Sequence, residues 1–232
     1  MNPTSPNTPA AAVTPRPAAT TLIVRDGDAG LEVLMVRRSL QASFMPGAYV
    51  FPGGAVDAAD GSAAHQAVCD EPAEQLARRG GWAALRARLH AGESLAALAP
   101  AAGGPLATSV LQPWSHWVTP VGLPKRFDTL FFVARAPAGQ VPEVDAGETT
   151  TLAWVNPAAA LADHAGGGFP MEFATVSTVQ SLRPFASAAA LLAHAAALPS
   201  LPPLHPRLKR GADGRIAGVL LPGQPGYDEA VG

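Results

Sequence analysis

The sequence predicts an α/β (α+β) fold in one domain, and three observations carry that expectation. Short runs of strand formers recur along the chain, as in Glu32 to Arg37 and Thr129 to Arg135. Segments with one apolar helical face stand between and after them; Trp82, Leu85 and Leu89 form such a stripe. At 232 residues and 48% hydrophobic content, the chain can bury one substantial core. Length alone allows one or two domains, and the order of segments argues for one.

Strands are expected at Thr20 to Arg25, Glu32 to Arg37, Tyr49 to Phe51, Ser115 to Thr119, Thr129 to Arg135 and Leu152 to Val155. Helices are expected at Trp82 to Ala91, Ala158 to His164, Val176 to Leu182 and Ser187 to Leu198, the last starting after Pro184. Arg215 to Leu221 reads as an added edge strand. Residues 1–17, rich in Pro, Thr and Ala without an apolar targeting core, read as a disordered tail. The domain is expected over 18–225, with 226–232 as a C-terminal tail.

Composition excludes several functions. A net charge of -2 with 15% charged residues gives no basic field for nucleic acid, so any affinity for anions must be local. The apolar run Ala186 to Leu198 is too short to span a bilayer, so no membrane role is expected. The single cysteine, Cys69, rules out an internal disulfide and a cysteine-based zinc cage, and the expected location is the cytoplasm. The six histidines are scattered with no His-x-x-x-His pair. Gly166-Gly167-Gly168 lacks the following Lys-Ser or Lys-Thr of a phosphate-cradling loop.

The most informative segment runs from Leu34 to Gly54, L-M-V-R-R-S-L-Q-A-S-F-M-P-G-A-Y-V-F-P-G-G. A double glycine after a strand lets the backbone take positive φ and approach a ligand closely. With Arg38, Ser39, Gly47, Phe51, Pro52, Gly53 and Gly54 at their offsets, the segment resembles the entry to a Nudix hydrolase domain. Its pattern is similar to that of the coenzyme A diphosphatase branch, L-L-T-x-R-(S/A)-x3-R-x3-G-x3-F-P-G-G. Val36 stands where that branch has Thr, and Ser43 replaces its second Arg, which bears on coenzyme A selectivity.

The resemblance implies a catalytic helix with the pattern G-x5-E-x7-R-E-U-x-E-E-x-G-U. Magnesium or manganese ions neutralise the diphosphate and activate water there, and such hard ions take carboxylate oxygens. Glutamates three and four residues apart share one helix face, so the spacing gathers them. Counted from Gly54 without gaps, the pattern meets Asp60, Val68, Cys69, Pro72 and Ala73, and it fails. Slid by two residues, it retains Glu71 and Glu74, but with Asp70 for Arg, Gln75 for the last Glu and Ala77 for Gly. Pro72 fits only the first turn of a helix. Two readings stay open: a degenerate box on Glu71 and Glu74, or a deletion of the box, with Asp70 to Glu74 a solvated helix start.

Later segments keep the family order. Leu111 to Pro120 and Lys125 to Ala134 resemble the W-x-T-P and R-F-D-T-x-F-F elements of coenzyme A diphosphatases. Asp145 to Glu148 resembles the acidic loop that contributes a catalytic Glu in several Nudix families, while Glu148 by itself reads as a solvated turn acid. Arg126 and Asp128 fall on one strand face, where a structural ion pair and phosphate contact are both open. Ser115 and His116 are not a nucleophile pair, because adjacent strand residues face opposite sides.

The resemblance implies an α/β/α sandwich with a mixed sheet, with or without its catalytic helix. It implies hydrolysis of diphosphate bonds in coenzyme A, acyl-coenzyme A or related nucleoside diphosphate derivatives. In that reading Glu71, Glu74 and Glu148 are catalytic, Glu71 and Glu74 bind Mg²⁺ or Mn²⁺, and Arg38, Ser39, Gly47, Phe51, Gly53, Gly54 and Arg126 bind substrate. The incomplete box points to strongly impaired turnover, and the alternative is a catalytically silent ligand-binding module. An uncovered sheet face calls for either the Trp82 helix or a partner chain, as in a homodimer, to cover it.

Overall fold

A computed structural model of the chain describes residues 13–67, 88–89, 91–101, 108–144 and 147–230. Seven strands form one mixed sheet: β1 (Arg16–Gly27), β2 (Gly30–Arg38), β3 (Tyr49–Val50), β4 (Gly53–Ala55), β5 (Gln112–Val118), β6 (Phe127–Arg135) and β7 (Thr149–Val155). The β1–β2 turn is tight, with Gly30 at φ 97°, and the strands pair antiparallel from Val24 and Val33 to Gly27 and Gly30. On its other side β1 runs parallel to β6 over nine register pairs, Arg16 with Phe127 through Val24 with Arg135.

β2 is the branching strand. One edge takes β1 and then, farther along, β3; the other pairs antiparallel with β7. Past Phe51 and Pro52 the chain crosses to β1, where β4 pairs with Ala18 to Thr20. The Thr21 amide donates to the Pro52 carbonyl at 2.8 Å, which fixes the crossing.

Strand alternation sorts β2 into two faces. Leu31, Val33 and Met35 point into the main core with Leu22, Val24, Phe131 and Val133, all buried. Three helices cover that face: α3 (Pro157–Ala165), α4 (Phe173–Leu182) and α5 (Ala188–Ala196), following the short α1 (Ala63–Gln66) and α2 (Leu95–Ala101). Asn156 caps α3, with Pro157 at the first turn, where its missing N–H costs nothing. Ser187 caps α5 by accepting from the Ala190 amide at 3.2 Å, and Asp26 at the end of β1 accepts from the Ala188 amide at 2.7 Å. Val179, Leu182 and Leu191 are fully buried beneath these helices.

Several expectations need correction. β1 begins at Arg16, with Pro17 in register with Asp128, so the last two residues of the segment read as tail belong to the sheet. The strand expected at Arg215 to Leu221 runs from Ile216 to Leu220 as β9, and it does not extend the main sheet. It pairs with β8 (Arg207–Arg210) in a separate hairpin. The segment read as C-terminal tail is packed as far as Asp228, because the Arg207 guanidinium donates to the Tyr227 and Asp228 carbonyls and stacks on the Tyr227 ring. Glu71, Glu74, Cys69 and almost all of the expected Trp82 to Ala91 helix lie outside the described residues. Just beyond them, Arg88 pairs with Glu93 at 2.6 Å and holds its carboxyl below the ordinary range, chiefly by that hydrogen bond.

Candidate functional site

The second face of β2 carries Leu34, Val36 and Arg38, opposite the helices. These side chains line a cleft of about 330 Å³ together with Val50, Phe51, Pro52 and Gly53, Thr149 and Leu152 of β7, and the loop residues Pro142, Glu143 and Glu148. The floor is apolar, and the charged groups at its margin are one guanidinium and two carboxylates. Such a mixture suits an elongated ligand with an apolar part and an anionic part.

Arg38 ends β2 inside this cleft, and its position is fixed. Its Nε donates to the Phe44 carbonyl at 2.9 Å, while Arg37 Nε donates to the Gly47 carbonyl at 3.1 Å, so consecutive arginines clamp the 39–47 loop from its two sides. The Ser39 amide donates to the Glu148 carbonyl at 2.8 Å, which holds Glu148 against the end of β2. Sequence-distant Arg38 and Glu148 thereby come to one cleft.

The other residues expected to bind substrate divide into two groups. Phe51 and Gly53 line the cleft, although Phe51 is buried and sets its edge against Phe131 at 6.4 Å, a core contact. Gly54 is exposed beside it. Neither glycine has positive φ, so the anticipated backbone freedom is not what they supply. At Gly53 the need is proximity: a Cβ would lie 2.4 Å from the Ala19 carbonyl oxygen and 2.7 Å from Thr20 Cα. At Gly54 a Cβ would meet nothing within 4 Å.

Ser39, Gly47 and Arg126 do not line the cleft. Ser39 Oγ accepts from the Gln41 amide at 3.2 Å, and Gly47, at φ 74°, turns the chain after Pro46. Arg126 donates from Nε to the Thr119 carbonyl at 3.0 Å and from Nη1 to the Val13 carbonyl at 2.7 Å. Its side chain ties the β5–β6 turn to the start of β1. Its expected partner Asp128 instead faces His116 Nε2 across the strands, a hydrogen-bonded ion pair if the imidazole is protonated. We expect Arg126→Ala to lower stability by about 1 kcal/mol through lost hydrogen bonds. Because Arg126 does not line the cleft, the cleft itself should be little changed; thermal melts check the stability loss.

Glu143 was not singled out by the sequence, because a lone acid after Pro142 in a turn-rich stretch has no periodicity to mark it. With Glu148 it gives the cleft two carboxylates. Among the described residues no group of three or more His, Cys, Asp or Glu is placed to hold a metal ion. Two carboxylates do not make a complete oxygen donor set for Mg²⁺ or Mn²⁺. Glu71 and Glu74, the remaining candidates, lie outside the described residues.

Comparison with known proteins points one way. Residues 8–93 match the family model described as the NUDT19 Nudix domain. The crystal structure of a NUDIX hydrolase from Alicyclobacillus acidocaldarius is similar at 26% identity, covering 78% of this chain and 96% of that one, with a TM-score of 0.66. Looser likenesses, on which nothing further rests, include the NUDIX domain of Shewanella oneidensis NrtR complexed with ADP ribose (17% identity, 77% and 93% covered, TM-score 0.44). A C. elegans Ap4A hydrolase is another (18% identity, 77% and 98% covered, TM-score 0.38). No curated protein matches the chain. Nudix hydrolases generally use divalent metal ions. The N-terminal part of the chain is thus similar to a Nudix domain, and its mixed sheet with flanking helices is similar to the fold of the Alicyclobacillus NUDIX hydrolase.

Proposed function

We propose that the chain is a Nudix-type hydrolase of diphosphate bonds in coenzyme A, acyl-coenzyme A or related nucleoside diphosphate derivatives, with strongly impaired turnover. The observation that carries this reading is the cleft that joins Arg38, the Phe51-Pro52-Gly53 crossing and the carboxylates of Glu143 and Glu148. Arg38, held by the 39–47 loop, attracts the diphosphate and orients it by charge-assisted hydrogen bonds. The apolar floor of Leu34, Val36 and Leu152 accommodates a pantetheine-like arm. Glu148 acts as a base toward water at the cleft margin.

Impairment follows from the incomplete box, which keeps Glu71 and Glu74 but has Asp70 for the arginine and Gln75 for the last glutamate. A divalent ion, Mg²⁺ or Mn²⁺, supplies charge neutralisation and water activation in this chemistry. Glu143 and Glu148 fall short of a donor set for it, and Glu71 and Glu74 are the residues that would complete one. The same incomplete box favours a second reading, a silent binding module that keeps the cleft and not the chemistry. The cytoplasm remains the proposed location, and a homodimer the proposed assembly.

The test is release of 3′,5′-ADP and 4′-phosphopantetheine from coenzyme A with Mg²⁺ or Mn²⁺, for wild type, Glu148→Gln and Glu71→Ala/Glu74→Ala. Slow release that both variants abolish is the expected result. Coenzyme A binding without any release by the folded wild type would select the silent module. Neither binding nor release would overturn both readings.

A further inference from the structure

The β8–β9 hairpin stands apart from the cleft and has features the hydrolase reading does not use. Among the described residues it is docked on one side only. Leu208 is fully buried against the domain, and Leu204 just before β8 bridges the outer edge of β5, donating its amide to the His116 carbonyl at 2.8 Å and accepting from the Val118 amide at 2.9 Å. The tail through Asp228 braces the base of the hairpin through Arg207.

β9 is different. Its residues pair with β8 through Arg210 and Ile216 up to Arg207 and Leu220, and among the described residues no backbone hydrogen bond reaches Ile216 to Leu220 from outside the hairpin. A strand edge of this kind presents N–H and C=O groups that template another strand. The devices that usually blunt an edge, a proline or a charge within the strand, are missing from Ile-Ala-Gly-Val-Leu. A Cβ at Gly218 would meet nothing within 4 Å, and Ile216 is 49% exposed, so the approach is open and has one apolar anchor.

Charge selects the occupant. The chain has a net charge of -2, yet between His205 and Arg215 stand Arg207, Lys209, Arg210 and Arg215 against the single acid Asp213. Lys209 and Arg210 are exposed, and the Arg215 side chain is 89% exposed, with Asp213 a loose partner at 3.8 Å. A second copy of the chain would bring the same basic hairpin against itself. An acidic strand would not, and it would gain from complementary charge on both flanks of the open edge.

We propose that β9 is a strand-addition site for an extended acidic peptide segment of a partner protein. Main-chain pairing along Ile216 to Leu220 holds the segment, Ile216 takes an apolar side chain, and Lys209, Arg210 and Arg215 select acidic residues. The site is separate from the cleft and does not depend on the hydrolase reading.

A fluorescein-labelled peptide of alternating Glu and Val, with a Lys and Val peptide as control, tests this by anisotropy on the full chain. Hydrogen exchange of the same mixtures locates the contact. The expected result is saturable binding of the acidic peptide alone, slowed exchange across 216–220, and at least about tenfold weaker binding by Lys209→Glu/Arg215→Glu, which reverses two of the selecting charges. The exchange experiment on wild type needs no variant. Equal binding of the two peptides, binding without protection of 216–220, or capture by phosphatidylserine vesicles or an oligonucleotide with no peptide binding would each overturn the proposal.

Discussion

Gly53→Ala is expected to destabilise the protein by about 3 kcal/mol, while Gly54→Ala one residue later changes stability by less than about 0.5 kcal/mol. The two glycines are adjacent on the same short strand, and both belong to the Pro-Gly-Gly that marks the segment. Their surroundings separate them. At Gly53 the obstacle to a Cβ is mostly backbone, the Ala19 carbonyl at 2.4 Å and Thr20 Cα at 2.7 Å, so no side-chain rotation relieves it. β4 would have to move away from β1, loosening the amide bond from Thr21 to Pro52 and opening one wall of the cleft. Denaturant midpoints of the two variants check this directly. Equal midpoints would show that β4 does not approach β1 as closely as described.

Phe169→Ala is expected to cost about 3 kcal/mol and to weaken coenzyme A binding as well. Phe169 is buried and lies flat on Tyr49, with ring centroids 3.6 Å apart and planes 12° off parallel. The Tyr49 amide also donates to the Pro170 carbonyl at 2.8 Å. The loop after α3 therefore straps β3 from the helix side, and β3 continues into Val50 and Phe51 at the cleft. Removing the ring leaves a void under a strand of only two residues. Phe169→Leu keeps much of the volume and should recover more than half of both losses. A variant that lost stability but bound ligand normally would show that the strap serves packing alone.

Much of the sheet is legible in the sequence because its strands are compact runs of Val, Ile, Leu, Phe and Thr between turn residues. The helix after Pro184 is legible for a similar reason: Ser187 is a strong cap before an alanine-rich stripe. What escapes is contact between distant segments. The Arg215 to Leu221 run has the composition of an edge strand, and only its pairing with β8 shows that it joins a hairpin outside the main sheet. Arg126 and Asp128 share a face by alternation, but alternation cannot reveal that His116 on the neighbouring strand takes the carboxylate. Pro-Gly-Gly signals closeness, and it does not tell whether a ligand or β1 comes close.

The site is half legible. Arg38 and Glu148 are visible through the family pattern, and the Ser39 amide to Glu148 carbonyl bond gives a physical reason for their meeting. Glu143 enters only through its place at the cleft beside Pro142. Ser39 and Gly47 share the pattern for a different reason, since they shape the loop that orients Arg38.

The central claim is that the face of β3, β2 and β7 opposite the helices is where a diphosphate ligand binds. Calorimetric titration of coenzyme A in the presence of Mg²⁺ into wild type, Arg38→Ala and Arg126→Ala tests it most directly. The account predicts binding by wild type, affinity lower by about tenfold or more in Arg38→Ala, for the loss of a charge-assisted contact, and no change in Arg126→Ala. Equal binding by wild type and a folded Arg38→Ala, or loss confined to Arg126→Ala, would contradict it and move the site to the β5–β6 turn.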